Sequence, residues 1–196
     1  MAKGRPRAFD PAEAVAAALP IFIEKGFEGA TYGELLAAMG INPPSFSSAF
    51  GNKEQLFRRA IEMYAAQGTP IVTDALAQAT AYEVIERLLR RTADAHTDPS
   101  RPAGCLFVQG ALSCSDKAAD IRSELAARRV AIEPLLEARL REARDAGDAS
   151  IDGDPARLAR YVSTVIQGLA VQSTSGSDRR ALHEVVDIVL DGLAPR

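Results

Sequence analysis

Ser45, Ser47 and Ser48 follow the Pro43-Pro44 pair, and the first cation after them is Lys53. Hydroxyls at this spacing can donate to or accept from base edges and phosphate oxygens, and an ammonium at a helix start can pair with a phosphate beside open backbone N–H groups. The B-DNA major groove is about 12 Å wide, so a helix reaches base edges only where its outward side chains are small. No acidic residue occurs from Gly40 to Asn52. At the start of the chain Lys3, Arg5 and Arg7 precede the first acid, Asp10, forming a basic arm able to follow a phosphate backbone or enter a minor groove. A merely solvated helix face would also be rich in serine, so the pattern alone leaves both readings open.

Thiol chemistry is the other option in the composition. With Cys105, Cys114, His96 and His183 as the whole complement of Cys and His, no familiar zinc spacing can be assembled, and neither metal nor cofactor is expected. Cys105 follows Gly104 at the start of an apolar segment, where a helix N-terminus lowers a thiol pKa, whereas burial raises it and leaves the thiol inert. Three readings stay open there: two small buried thiols, a redox-responsive Cys105, or a thiol-dependent helical enzyme using His96 or a carboxylate. No phosphate-binding glycine loop supports an enzyme.

The 196 residues are 47% hydrophobic and 25% charged, ordinary for a globular protein. A net charge of −3 would argue against nucleic acid if it were evenly spread, which the basic arm and the acid-free stretch show it is not. No run of apolar residues is long enough for a membrane span and no secretion signal opens the chain, so a cytoplasmic protein without membrane contact is expected. A disulfide framework is not expected in that compartment.

The elements that must position these residues are all helical, since a 3.6-residue apolar period runs through nearly every segment. Asp10, Pro11 and Glu13 start a helix with Val15, Ala18, Leu19 and Phe22 on one face, bent at Pro20 and stopped by Gly26. Thr31 and Glu34 form a capping box for a short helix ended by Gly40; Asn42 caps the next, with Phe46, Ala49 and Phe50 packed inward. Asn52 opens a further helix, which Gly68-Thr69-Pro70 is expected to break. Beyond that junction, helices are predicted from Thr80 to about His96, from Cys105 to Leu112, from about Asp116 to Arg144 with a kink at Pro134, from Pro155 to Thr174 and from Asp178 to Leu193. The domains expected are therefore 1–52, a connecting helix 53–68, and 69–196.

Two short helices joined by a glycine turn, the second presenting small side chains, are what a helix-turn-helix reader requires. Beyond that geometry, Phe22, Lys25-Gly26-Phe27, Thr31, Leu35, Met39-Gly40-Ile41, Ser45-Phe46, Phe50 and Lys53-Glu54-Gln55-Leu56-Phe57 resemble the signature of tetracycline-repressor (TetR) family transcriptional regulators over roughly residues 9–64. The resemblance implies an all-α protein: an N-terminal three-helix helix-turn-helix domain and a C-terminal helical ligand-binding and dimerisation domain. It further implies a homodimer on a palindromic double-stranded DNA operator, C-terminal helices paired into a four-helix bundle, and release of DNA when a small-molecule effector binds. Family DNA-contact positions carry over onto Thr31, Ser45, Ser48, Ala49 and Lys53. Where the family usually has a tyrosine, after Phe46, this chain has Ser47.

Outside the resemblance, Val162, Val165, Ile166 and Leu169, with Leu182, Val185, Val186, Ile188 and Val189, are more apolar than an edge helix needs; they suit a dimer interface or the subunit's own core. Tyr64, Leu88, Phe107, Val108 and Tyr161, with Thr92, Gln109 and Gln167 as polar contacts, could line an effector cavity. A repressor released by an effector is the expected function. The rivals are the thiol enzyme and a helical interaction module without a DNA target.

Overall fold

A computed structural model describes residues 9–112 and 118–193, and among these residues the chain is ten α-helices with no strand. Lys3, Arg5, Arg7 and Cys114 lie outside the described residues.

The first four helices are α1 (Pro11–Gly29), α2 (Tyr32–Met39), α3 (Pro43–Phe50) and α4 (Lys53–Leu76). Each starts where its sequence provides a cap: Asp10 accepts from the Ala12 N–H, Thr31 and Glu34 close a full capping box, and Asn42 and Asn52 accept from the N–H groups of Ser45 and Gln55. Gly40 ends α2 at φ 62°, a left-handed turn that a Cβ would oppose.

Two proline expectations change. Pro20 and Pro70 both lie within continuous helix, and α4 runs through Gly68-Thr69-Pro70 to Leu76 instead of ending there. Both prolines are exposed, as are Ala16 and Ala66, whose carbonyls lose their helical donor; water can satisfy those carbonyls, which removes much of the usual cost. Packing of Ile71, Val72, Ala75 and Leu76 against the second core offsets the roughly 3 kcal/mol propensity penalty of Pro70. In α1 the backbone departs from helical values at Gly26, φ 69° and ψ −175°, and not at Pro20.

The remaining helices are α5 (Ala81–His96), α6 (Leu106–Leu112), α7 (Ala119–Val130), α8 (Ile132–Asp145), α9 (Pro155–Thr174) and α10 (Arg179–Leu193). The single kinked helix expected from Asp116 to Arg144 is two helices meeting at Ala131. A proline ring crowds the carbonyl four residues before it, so Pro134 is incompatible with α7 continuing past Val130, whereas in the first turn of α8 it costs no internal donor.

Two cores result. The first gathers Phe22, Leu35, Phe46, Phe50, Leu56 and Phe57, but also Leu106, Ile121 and Leu125 from α6 and α7. The second is built by α5, α8, α9 and α10 with the C-terminal end of α4. Helix α4 therefore contributes to both, and α6 packs directly on α1.

Candidate nucleic-acid interface and effector cavity

Helix α3 buries Phe46 and Phe50 at 1% exposure each, and Phe46 is clamped edge-on by Tyr32 at 4.7 Å. That packing leaves Ser47 and Ser48 exposed and Ser45 half-buried on the opposite side. Ala49 is 8% exposed and belongs to the core, as the helical pattern predicts and against the contact role that the family resemblance implies, so it supports the serine-bearing face from behind. Phe9 packs on Phe50 at 6.3 Å, which roots the segment after the basic arm beside the end of α3.

Thr31 is exposed, and its hydroxyl accepts from the Glu34 N–H and donates to the Glu34 carboxylate. Lys25 pairs with the same carboxylate, tying α1 to α2; this pair and the Thr31 hydrogen bonds hold Glu34 down at about 2. Lys53 is half-buried, with its ammonium 4.9 Å from the Phe27 ring centroid and donating to the Glu28 carbonyl at 3.4 Å. Burial lowers its pKa from the ordinary lysine value.

A cavity of about 450 Å³ lies among α4, α5, α6, α9 and the α7–α8 junction. Tyr64, Leu88, Thr92, Phe107, Val108 and Gln167 line it as the residue pattern suggested. Gln109 does not: its amide oxygen turns back to accept from the Cys105 N–H at 2.6 Å, capping α6. Tyr161 does not either, being 46% exposed on the outer side of α9. Sequence reasoning missed Ile71, Val72 and Leu76, because α4 was expected to stop at Gly68, and missed Arg101, Arg128 and Arg129 entirely. The only signal for the arginines was their position in a loop and at a helix end bordering apolar segments.

Tyr64 and Phe107 meet edge to face at 5.0 Å, and burial, then the neighbouring Cys105, pushes the Tyr64 hydroxyl well above its ordinary range. His96 also borders the cavity. Its Nδ1 lies 3.1 Å from the Gly104 carbonyl, and a carbonyl only accepts, so Nδ1 carries the proton. Burial lowers the His96 pKa to about 4, with Arg101 adding to the effect, so the ring is neutral at physiological pH.

The dimer expectations divide. Val162, Leu169, Leu182, Val186 and Val189 are buried in their own subunit's core, which is why the last two helices read as so apolar. Val165 and Ile166 are half-buried against that core, and Ile166 also reaches the cavity. Of the nine, Val185 and Ile188 face out, Ile188 at 73% exposure, alongside Tyr161 and Val171.

A capped helix-turn-helix head sharing one long helix with a cavity-bearing helical body defines a DNA-binding regulator with a sensory domain. Residues 81–189 match the tetracyclin repressor-like C-terminal domain, and residues 14–60 match the bacterial regulatory proteins of the tetR family. The chain belongs to the TetR family of transcriptional regulators.

The chain is similar to a cysteine-substituted variant of the TetR family transcriptional regulator CifR complexed with 26-base-pair double-strand operator DNA, at 38% identity and TM-score 0.90 over 95% of this chain and 98% of that one. It is 25% identical over 193 residues to the HTH-type transcriptional repressor ComR of Escherichia coli K12, covering 96% of this chain and 90% of ComR. To the repressor BdcR of the same organism it is 34% identical over 119 residues, 60% of each chain. These relatives are transcriptional regulators, and the alternative of a thiol-dependent enzyme acting through Cys105 is not favoured.

Proposed function

We propose that this protein is a homodimeric repressor that grips a palindromic operator with two α3 helices and lets go when a small molecule fills the cavity. The observation that carries this reading is the unbroken α4. Its first turns, through Leu56, Phe57 and Ile61, are fixed in the head, while Tyr64, Ile71, Val72 and Leu76 wall the cavity. A ligand that displaces this wall must move the head or loosen its packing. Helix α6 supplies a second route, with Phe107 and Val108 on the cavity and Leu106 in the head core.

Ser45, Ser47, Ser48, Lys53 and the arm of Lys3, Arg5 and Arg7 are the groups assigned to DNA. The Thr31 hydroxyl acts chiefly as the cap that orients α2. Half-sites lie about 34–36 Å apart per helical turn, so two heads on one rigid dimer bind only at one spacing. An effector with higher affinity for another spacing weakens operator binding by the difference in its two affinities. Tyr161, Val171, Val185 and Ile188 provide the outward apolar face for the partner subunit. Among the described residues no helix is long and apolar enough to cross a membrane, in keeping with a protein acting on DNA in the cytoplasm.

The dimer half of this proposal is tested by sedimentation of Ile188→Glu beside the wild-type chain. A shift from dimer to monomer with at least tenfold weaker binding to operator duplex is expected, because a charge would have to be buried unpaired. A variant that remains a dimer with full affinity would place the interface elsewhere.

A further inference from the structure

The effector reading leaves the ligand's chemistry open, and the cavity wall narrows it. Among the described residues that line the cavity there is no aspartate or glutamate, whereas there are three arginines, Arg101, Arg128 and Arg129. Arg128 is paired with Glu62 on α4. Arg101 and Arg129 have no carboxylate within ion-pair distance among the described residues; Asp98, three residues before Arg101, is exposed and hydrogen-bonded to Ser100. His96 offers no compensating negative charge.

Two of the cations are placed by their contacts, and Arg129 follows Arg128 in the last turn of α7. Arg101 lies over the Tyr64 ring at 5.9 Å and Arg128 reaches Glu62, so both gather around the same turn of α4. Further along that helix the cavity wall becomes Ile71, Val72 and finally Leu76, with Thr69 and Thr73 beside them. From Tyr64 to Leu76 the helix rises about 18 Å at 1.5 Å per residue. Along α4 the cavity wall therefore runs from Arg101, Arg128 and Tyr64 to a stretch dominated by Ile71, Val72 and Leu76.

We infer that the effector is an amphipathic organic anion, a carboxylate with an extended apolar body, whose head group lies between Arg101 and Arg129 while its body runs along α4 toward Leu76. A cationic ligand would meet unopposed positive charge. A neutral one would leave the guanidinium groups without a partner in a partly desolvated site, where charge-assisted hydrogen bonds are strongest.

This inference rests on the cavity being the effector site, and the test separates the two. Calorimetric titration of the full-length protein with decanoate and with decanol, below their aggregation concentrations, compares the same chain length with and without the charge. Decanoate is expected to bind at least tenfold more tightly; Arg101→Gln and Arg129→Gln should each remove about tenfold of decanoate affinity and leave decanol unchanged, with Arg101→Lys retaining most of it. Circular dichroism melting of each variant confirms folding, and the decanol titration reports on the cavity independently of charge. Decanol binding as tightly as decanoate, unaltered decanoate binding in both glutamine variants, or no binding of either probe would overturn the inference. Operator release is measured separately: decanoate that binds with the expected arginine dependence but leaves the operator complex intact supports the anion site and contradicts the regulatory reading.

Discussion

The Lys53 ammonium is held over Phe27 and against the Glu28 carbonyl. That position pre-sets the side chain at the start of α4, where a phosphate would meet both the ammonium and the helix dipole. Lys53→Ala should weaken binding to all operator variants alike and reduce the slope of log affinity against log salt by about 1, as read from anisotropy titrations at several salt concentrations. Ser47→Ala or Ser48→Ala should change preference among half-site sequences more than salt dependence, because a hydroxyl carries no charge to release counterions. His96 yields a pH expectation. Its folded pKa of about 4 lies below the ordinary 6.5, so between these values the unfolded chain binds the extra proton and stability falls as pH drops through that window. The loss is at most about 3 kcal/mol, and His96→Gln should flatten the dependence of the urea midpoint on pH between 6.5 and 4.5. At this scale the sequence was legible where placement is local, as with the caps and the outward position of Ser47 and Ser48. It was not legible where placement depended on other elements: Gln109 turns back on its own helix, and the arginines enter the cavity from segments distant in the chain.

At the scale of elements, capping chemistry was the most readable signal, because a side chain satisfying an N–H two or three residues on needs no tertiary information. Thr31→Ala should cost about 1 kcal/mol of stability, recovered by Thr31→Ser, with operator affinity following stability in both variants. Affinity lost in Thr31→Ser despite recovered stability would show that the threonine methyl contacts DNA. Prolines misled for a definable reason. Pro20 and Pro70 are tolerated inside helices because they and the residues whose carbonyls they deprive face water, and which side faces water is decided by packing. Pro134 does the opposite, separating α7 from α8 and so bringing Arg128, Arg129 and Ile132 to the cavity wall.

For the whole molecule, the consequence of a continuous α4 is that head and cavity share a structural member. The 69–196 unit expected from the sequence does not begin at a flexible joint, and α6 and α7 pack into the head core as well as bordering the cavity. The apolar excess of α9 and α10 was visible in the sequence, but its division between subunit core and outward face was not. Both are apolar, and only the packed structure shows Val186 buried and Ile188 exposed. The central claim is that two heads, held at fixed separation by those outer faces, read two copies of one short sequence. Selection of bound duplexes from a random pool, at moderate salt with purified full-length protein, measures this directly. Enrichment of an inverted repeat whose half-site centres lie about one helical turn, or a whole multiple of it, apart is expected; recovery of unenriched sequences, or of a single half-site with no symmetric partner, would contradict it.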